Sequence, residues 1–334
     1  MTFSIQRGIN ISHWLSQCDG RGNRQTWFRR PDVAYLAGLG LDHLRIPVDE
    51  KELWQENGRF DPEALDLLNQ AVDWCADAGL RVVLDLHILR SHYFLDDSPL
   101  LYRDAAAQEH FADLWRSISG EFNGRSSDLL AYELLNEAVA PDPEDWNKVA
   151  HKVFNVVRQL EPTRTIVLGS NRFCTAATFA DLAVPEDEHC ILTFHYYNPM
   201  FITHYTAPWW QKGGAYHGPI QYPGQPIPAD AWDSLPAEVQ AEFELENRPF
   251  TRDVLVKDLV EPLAVRTRTG LPLYCGEFGV YQKTPRTLRD AWYADMLSVF
   301  REYGIAWAKW DYKGDFGIVD AQGRETGLSS LFVS

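Results

Sequence analysis

The segments Leu134-Leu135-Asn136-Glu137 and Tyr274-Cys275-Gly276-Glu277-Phe278-Gly279 share one feature. Each places a glutamate directly after a short apolar run that is typical of a buried β-strand. A buried carboxylate is unfavourable unless a function or a partner retains it. Because the carboxyl ends of parallel strands lie at one edge of a sheet, the two glutamates, about 140 residues apart in the chain, are expected to meet there.

Short apolar runs of this kind occur along the whole chain. Each is too short for a helix and most are rich in β-branched residues, so we predict eight strands. The runs are residues 8–11, 43–46, 81–86, 130–134, 165–168, 191–194, 273–275 and 305–310.

Between these runs, apolar residues recur at helical spacing and form single stripes. The stripes are Leu65, Leu68, Val72 and Cys75; Phe111, Leu114, Trp115, Ile118 and Phe122; Trp146, Val149, Val153 and Val157; and Leu288, Trp292 and Met296. Because parallel strands need helical crossovers, this alternation predicts an α/β fold, a single (β/α)8 TIM barrel that covers residues 1–334 as one domain. A doubly wound open sheet is disfavoured, since no Gly-x-Gly-x-x-Gly or Gly-Lys-Ser/Thr loop follows any strand.

Composition narrows the classes of partner. The 334 residues carry a formal net charge of −16, and the 31 Lys and Arg residues form no cluster. This disfavours nucleic acid and anionic membranes as partners. Five cysteines without a C-x-x-C pair indicate reduced thiols. Because no signal peptide or membrane-spanning stretch is recognisable, the sequence predicts a cytoplasmic protein, or a secreted one if a leader has been removed.

The connection after the sixth strand, residues 197–250, has no helical periodicity, and we predict a long aromatic-rich loop. Its aromatic residues are Phe201, Tyr205, Trp209, Trp210, Tyr216 and Tyr222. Long ordered loops are usually functional, and exposed aromatic faces suit the apolar C–H faces of sugar rings. Trp209 and Trp210 are therefore predicted to form part of the wall of a saccharide cleft. The alternative is a small satellite core in which these aromatics pack on one another.

Polar or aromatic residues close most of the predicted strands. They are Arg45, His87, Asn136, Glu137, His195, Tyr197, Glu277 and Trp310. Each has a structural explanation as well: Arg45 could serve an ion pair, His87 could be a hydrogen-bonded core residue, and Trp310 could fill the barrel. Together at one end of successive strands, they indicate an active site. Two carboxylates are the minimum that a glycosidase needs.

In these residues the chain resembles the family 5 glycoside hydrolases, (β/α)8 retaining enzymes that include cellulases and mannanases. The resemblance implies that Glu137 is the acid/base and Glu277 the nucleophile. It further implies that Asn136 binds the 2-hydroxyl of the sugar, that Arg45 and Tyr197 keep the nucleophile ionised, that His87 and His195 line the same subsite, and that Trp310 stacks on the ring. One departure is Ala138, where the family commonly has proline after Asn-Glu.

The resemblance predicts a retaining glycosidase for neutral β-linked glycans, in the first place a β-1,4-glucan endoglucanase. A β-mannanase, a β-1,3-glucanase and an exo-acting β-glucosidase remain open, because sugar and linkage depend on loops. Outside this class, the alternatives are a barrel that binds saccharide without cleaving it and a metal-dependent hydrolase.

The predicted partner is an oligo- or polysaccharide, and the oligomeric state is left open. No cofactor or metal is predicted. Asp85, His87 and His92 have the side chains of metal ligands, but the sequence contains no His-x-His or His-Glu-x-x-His motif.

Overall fold

The structure is a computed structural model that describes residues 3–18 and 22–333, without the side chain of Lys212. Its strands form a closed, wholly parallel barrel in which each strand pairs with the next and β1 pairs with β8. The strands are β1 Arg7–Asn10, β2 His43–Asp49, β3 Arg81–Ile88, β4 Leu130–Glu133, β5 Ile166–Gly169, β6 Cys190–Tyr196, β7 Leu273–Phe278 and β8 Ala306–Lys309. All eight predicted strands are confirmed, and several extend further toward their carboxyl ends than their apolar runs.

Helices connect the strands around the outside of the barrel. They are α1 Arg24–Trp27, α2 Arg30–Gly38, α3 Glu50–Leu53, α4 Pro62–Ala78, α5 Ala105–Phe122, α6 Pro143–Leu160, α7 Asn171–Cys174, α8 Met200–Thr203, α9 Gln211–Gly214, α10 Ala229–Trp232, α11 Ala237–Phe243, α12 Arg252–Asp258, α13 Val260–Thr269 and α14 Arg286–Tyr303. Short 3₁₀ helices cover Leu100–Tyr102, Ala176–Asp181 and Ser329–Leu331. Within residues 3–18 and 22–333, no helix combines the length and apolarity that crossing a bilayer requires.

The four predicted apolar stripes lie on α4, α5, α6 and α14. Helix α4 begins as its sequence suggests, because the Asp61 carboxylate accepts from the Ala64 amide at 2.9 Å and Pro62 occupies the first turn. On α5 the whole stripe from Phe111 to Phe122 is buried against the barrel. These helices form because one face of each can be removed from water.

The inside of the barrel changes from apolar to polar along its axis. Near the amino ends of the strands, a compact cluster fills the interior: Phe3, Ile5, Val83, Ala131, Val167, Ile191, Tyr274, Ala306 and Ala308. Residues two apart on a strand share a face, so Asp85 and His87 follow Val83 toward the carboxyl end. Polar side chains are therefore carried above this apolar floor, at the end where barrels bind their substrates.

The first part of the connection between β6 and β7, residues 197–250, is more ordered than its sequence indicates. It contains four short helices, α8 to α11, where the absence of a helical pattern predicts a loop. The longest of the four is α11 with seven residues, too short to display two full turns of periodicity. The aromatic character of the segment is as expected.

Candidate active site

Glu277 reaches the barrel mouth because β7 is bulged just before it. In the pairing of β6 with β7, Phe194 is opposite Cys275 whereas His195 is opposite Glu277, so Gly276 is the extra residue. A Cβ on Gly276 would lie 2.7 Å from Thr193 Oγ1, and the Gly276 carbonyl accepts from Asn10 Nδ2 at 2.9 Å. Bulges of this kind redirect a side chain. Here the bulge turns the Glu277 carboxylate into the barrel mouth.

Arg45 on β2 is the centre of the polar layer. Its guanidinium binds Glu133 with two parallel hydrogen bonds of 2.8 and 2.9 Å and donates at 2.8 Å to Glu277 Oε1. It also donates to Asn136 Oδ1 and lies 3.1 Å from Asp85 Oδ2. Although burial lowers the pKa of Arg45, the carboxylates around it raise that pKa well above its ordinary value. Arg45 therefore stays cationic and fixes Glu277 by a charge-assisted bond.

Glu137 lies four residues after the end of β4 in a left-handed backbone conformation, with φ of 42°. Such a conformation is unfavourable for most residues other than glycine, and residues that adopt it are enriched at functional sites. The residue before a proline is restricted toward extended conformations. The alanine at position 138, where the family commonly has proline, therefore suits the conformation of Glu137.

His195 joins the two glutamates. Its Nδ1 lies 2.9 Å from Glu137 Oε1 and 3.8 Å from Glu277 Oε2. Burial lowers the pKa of His195 to about 4, so the ring is neutral at ordinary pH. One carboxylate oxygen of Glu137, one of Glu277 and this nitrogen all lie within 4.8 Å of one another.

The surroundings of the two glutamates differ in a way that separates their proton affinities. The pKa of Glu137 is raised to about 8, mainly by burial; Arg45 opposes the rise, and Asp85 and Glu133 add to it. Burial also raises the pKa of Glu277, but the cationic Arg45 opposes that rise. The negative charges of Asp85 and Glu133 add to the effect of burial on Glu137, and the two glutamates also repel each other when both are ionised.

Four more predicted residues lie around the glutamates. The Tyr197 hydroxyl donates to Glu277 Oε2 at 2.9 Å, so both carboxylate oxygens of Glu277 are held. His87 Nδ1 is hydrogen-bonded to Asp85 Oδ2 at 2.8 Å. The His87 ring stacks on Trp310 with 5.7 Å between ring centroids. Asn136 Nδ2 is buried and has no hydrogen-bond partner among the residues that the structure describes. Since Arg45 fixes the Asn136 carbonyl oxygen, this amide donor is free for a ligand.

The structure separates the two tryptophans that were predicted to line the cleft. Trp209 is 37% exposed and its ring packs edge-on against Tyr281 and near Phe316. Trp210 instead packs against Phe201 and Phe243, in a satellite core. Trp209 is thus the more exposed of the two and suits a cleft wall, while Trp210 packs as the alternative of a satellite core expects and also touches the cluster of Tyr281, Trp310 and Phe316.

The sequence did not single out Glu133 and Asn10, and it gave Asp85 only as a weak metal-ligand candidate. All three contact or neighbour Arg45 inside the barrel. One signal for Glu133 was present, because a glutamate inside the apolar run 130–134 is as unusual as Glu277. For Asn10 no comparable signal exists, since its contact depends on barrel closure.

Within the described parts of the chain, one group of side chains has the geometry to hold a metal ion: Glu137, His195 and Glu277. These are the two predicted catalytic carboxylates and the imidazole between them. Asp85, His87 and His92, which the sequence argued against as metal ligands, are not part of this group, and Asp85 is bonded to Arg45 and His87.

Comparison with known proteins identifies the family. The model of the cellulase family, glycosyl hydrolase family 5, matches residues 16–316. The chain belongs to glycosyl hydrolase family 5. It is a glycosidase, and the resemblance found in its strand-end residues is confirmed.

Relatives of this family 5 chain agree in length as well as in sequence. Endoglucanase C of Acetivibrio thermocellus is 31% identical over 315 residues, covering 93% of this chain and 92% of that protein. Cellodextrinase A of Ruminococcus flavefaciens is 26% identical, over 90% of this chain and 84% of that protein. A crystal structure of Thermotoga maritima Cel5A with mannotriose superposes with a TM-score of 0.79 at 21% identity, covering 98% of this chain and 97% of that one. The last likeness supports the fold.

Proposed function

We propose that this family 5 glycosidase hydrolyses β-1,4-glucan chains with retention of anomeric configuration, using Glu277 as nucleophile and Glu137 as acid/base. One observation carries the proposal: oxygens of the two carboxyl groups lie within 4.8 Å of each other. Retaining glycosidases hold their carboxyl groups about 5 Å apart, whereas inverting enzymes need roughly 6.5–9.5 Å to admit a water.

In the first step Glu277 attacks the anomeric carbon while Glu137 protonates the departing glycosidic oxygen. A covalent glycosyl–Glu277 ester forms and the bond to the leaving sugar breaks. Glu137 can hold the proton it gives because its pKa is raised to about 8, mainly by burial. Glu277 is directed by hydrogen bonds from Arg45 and Tyr197 to its two oxygens.

In the second step the ionised Glu137 takes a proton from water, which displaces Glu277 and restores the β configuration. Asn136 Nδ2 is the donor for the 2-hydroxyl, a contact that strengthens as the sugar ring flattens toward the oxocarbenium ion. Trp310, stacked on His87, provides the aromatic face beside that ring.

The choice of β-1,4-glucan rests on the relatives. The endoglucanase matches nearly the whole length of this chain, and the cellodextrinase matches most of it. Products from cello-, manno-, xyloglucan and mixed-linkage β-glucan oligosaccharides test this choice. We expect cleavage of cello-oligosaccharides at internal bonds. Faster cleavage of manno-oligosaccharides would reassign the sugar, and release of single glucose units only would reassign the mode to exo.

The roles of the glutamates are tested by azide rescue. With Glu137→Ala and an aryl β-cellobioside whose leaving group needs no proton, the ester should form and then accumulate. Added azide should displace Glu277 and give the β-cellobiosyl azide. Glu277→Ala is the matched control: azide there takes the place of the carboxylate and should give the α-azide. An α-azide from Glu137→Ala would contradict the assignment.

The metal-dependent alternative has its own test. Activity on cello-oligosaccharides after exhaustive dialysis against EDTA is expected to equal that before dialysis, since two carboxyl groups suffice for the reaction. Loss of activity that returns on adding a divalent cation would favour a metal-dependent hydrolase at Glu137, His195 and Glu277.

A further inference from the structure

The loop after β8 supplies two aromatic residues that pack against side chains of the proposed active site. Trp310 stacks on His87 at 5.7 Å between centroids, and Phe316 packs against Tyr197, whose hydroxyl donates to Glu277. Residues 310–316 contain no helix or strand. The buried backbone carbonyls of such a loop need hydrogen-bond donors from outside it.

Lys309, the last residue of β8, provides these donors from a single ammonium group. Its Nζ donates to the carbonyl of Trp310 at 2.9 Å, to that of Asp311 at 3.2 Å and to that of Phe316. The ammonium also lies over the rings of Tyr293 and Phe332, 5.7 and 5.9 Å from their centroids. One side chain thus ties both ends of the loop to the outer wall of the barrel.

The surroundings of position 309 would normally favour an apolar residue. Ala308 faces the inside of the barrel, so its neighbours Trp307 and Lys309 face outward. Trp307 belongs to the core between the barrel and the helices. Lys309 is 1% exposed. Burial lowers the pKa of Lys309 to about 7, against the opposing effect of Asp311. A cation that is unfavourable in this place is retained because three carbonyls would otherwise be unsatisfied.

We propose that Lys309 is a positioning residue for the reaction. By binding the three carbonyls it holds the Trp310 ring against His87, where the sugar would stack, and holds Phe316 against Tyr197. Because Tyr197 donates to Glu277, this second contact also fixes the nucleophile. This inference rests on the proposed roles of Trp310, Tyr197 and Glu277. The neighbouring contact of Gly279 supports a tightly fitted loop, since a Cβ there would lie 2.4 Å from the Trp310 carbonyl oxygen.

A matched control exists in the same loop. Lys313 is 8% exposed, donates to the Trp27 carbonyl at 2.6 Å, and lies 5.3 Å from the ring centroids of Trp27 and Tyr312. Like Lys309, it is a buried lysine that binds a carbonyl and lies over aromatic rings, but it connects the loop to Trp27 at the end of α1. Lys313→Met therefore removes a buried, carbonyl-bound ammonium, together with its ion pair to Asp32 at 3.9 Å, without releasing the Trp310 or Phe316 carbonyls.

The experiment compares Lys309→Met with Lys313→Met, well below their melting temperatures. The readouts are the rate of inactivation by a 2-deoxy-2-fluoro aryl β-cellobioside, kcat on the aryl β-cellobioside, and the melting temperature. We expect Lys309→Met to lower the inactivation rate and kcat about tenfold to a hundredfold, because small displacements of reacting groups have effects of that order. For Lys313→Met, the inactivation rate and kcat should stay within about twofold of wild type, although its melting temperature should fall by a similar amount.

Equal rate losses in the two variants, or an unchanged rate in Lys309→Met, would overturn the proposal. If Lys309→Met does not fold, Lys309→Arg decides. A guanidinium keeps the charge but cannot place three donors at the ammonium position, so a reduced kcat on an intact fold is expected and a wild-type kcat would overturn the proposal. Absence of any inactivation of the wild-type enzyme would instead contradict the retaining mechanism itself.

Discussion

At the scale of single residues, Arg45 is the side chain on which most of the site depends. Its planar guanidinium serves five acceptors, on Glu133, Glu277, Asn136 and Asn10, in directions that an ammonium cannot reproduce. It is also the cation beside Asp85. The conventional exchange of arginine for lysine is therefore not conservative here.

We expect Arg45→Lys to lower kcat on cello-oligosaccharides about a hundredfold, since Glu277 loses a fixed charge-assisted donor. The free energy of unfolding should fall by about 2 kcal/mol as buried carboxylates lose hydrogen bonds. Kinetics and denaturant unfolding measure the two effects. Arg158→Lys, which alters a two-bonded arginine–aspartate pair with Asp187 away from the site, is the control. A kcat for Arg45→Lys within threefold of wild type, roughly 0.7 kcal/mol in the barrier, would contradict this role.

We expect deprotonation of Glu137 to determine how kcat/KM falls at alkaline pH. Its pKa is raised by burial to about 8. Because the general acid must be protonated, kcat/KM for cello-oligosaccharides should be lost as pH rises through about 8. An aryl β-cellobioside with an acidic leaving group needs no proton, so its kcat/KM should persist to higher pH. If kcat/KM fell at the same alkaline pH for both substrates, the fall would be caused by a group other than Glu137.

At the scale of elements, the bulge in β7 and the β6–β7 segment show what a sequence reveals and what it does not. The glutamate at the end of β7 was predictable because a carboxylate interrupts an apolar run. The bulge at Gly276 that redirects it was not, because it depends on close approach to Thr193 on another strand. Similarly, α8 to α11 are too short to leave a periodic pattern, although their aromatic content was plain.

The adjacent tryptophans of the β6–β7 segment make a matched pair for testing the cleft wall. Trp209→Ala should raise KM for cellotetraose and longer chains about threefold to tenfold, roughly 1 kcal/mol, and leave a short aryl β-cellobioside unaffected. Trp210→Ala should lower the free energy of unfolding by about 2–3 kcal/mol through loss of packing on Phe201 and Phe243, with no dependence on chain length. Identical behaviour of both variants would rule out this division of roles.

At the scale of the whole molecule, barrel closure converts scattered residues into one site. The eight strands and the four main helices could be predicted because apolar periodicity is local. The participation of Asn10 and Glu133 could not, because it requires that β1, β2 and β4 enclose a common interior around Arg45. Hydrogen bonds join the predicted residues Arg45, Asn136, Tyr197 and Glu277, and another joins His195 to Glu137. His87 and Trp310 complete the same mouth.

The central claim is that Glu277 forms the covalent intermediate, and the most direct measurement is its capture. The enzyme is inactivated with a 2-deoxy-2-fluoro aryl β-cellobioside, which forms the glycosyl ester but hydrolyses it slowly, and the digested protein is sequenced by mass spectrometry. We predict one added fluorocellobiosyl group per chain, located on Glu277 and absent from Glu277→Gln. A label on Glu133, Glu137 or another residue, or turnover that yields the α-anomer without any labelled enzyme, would contradict the mechanism.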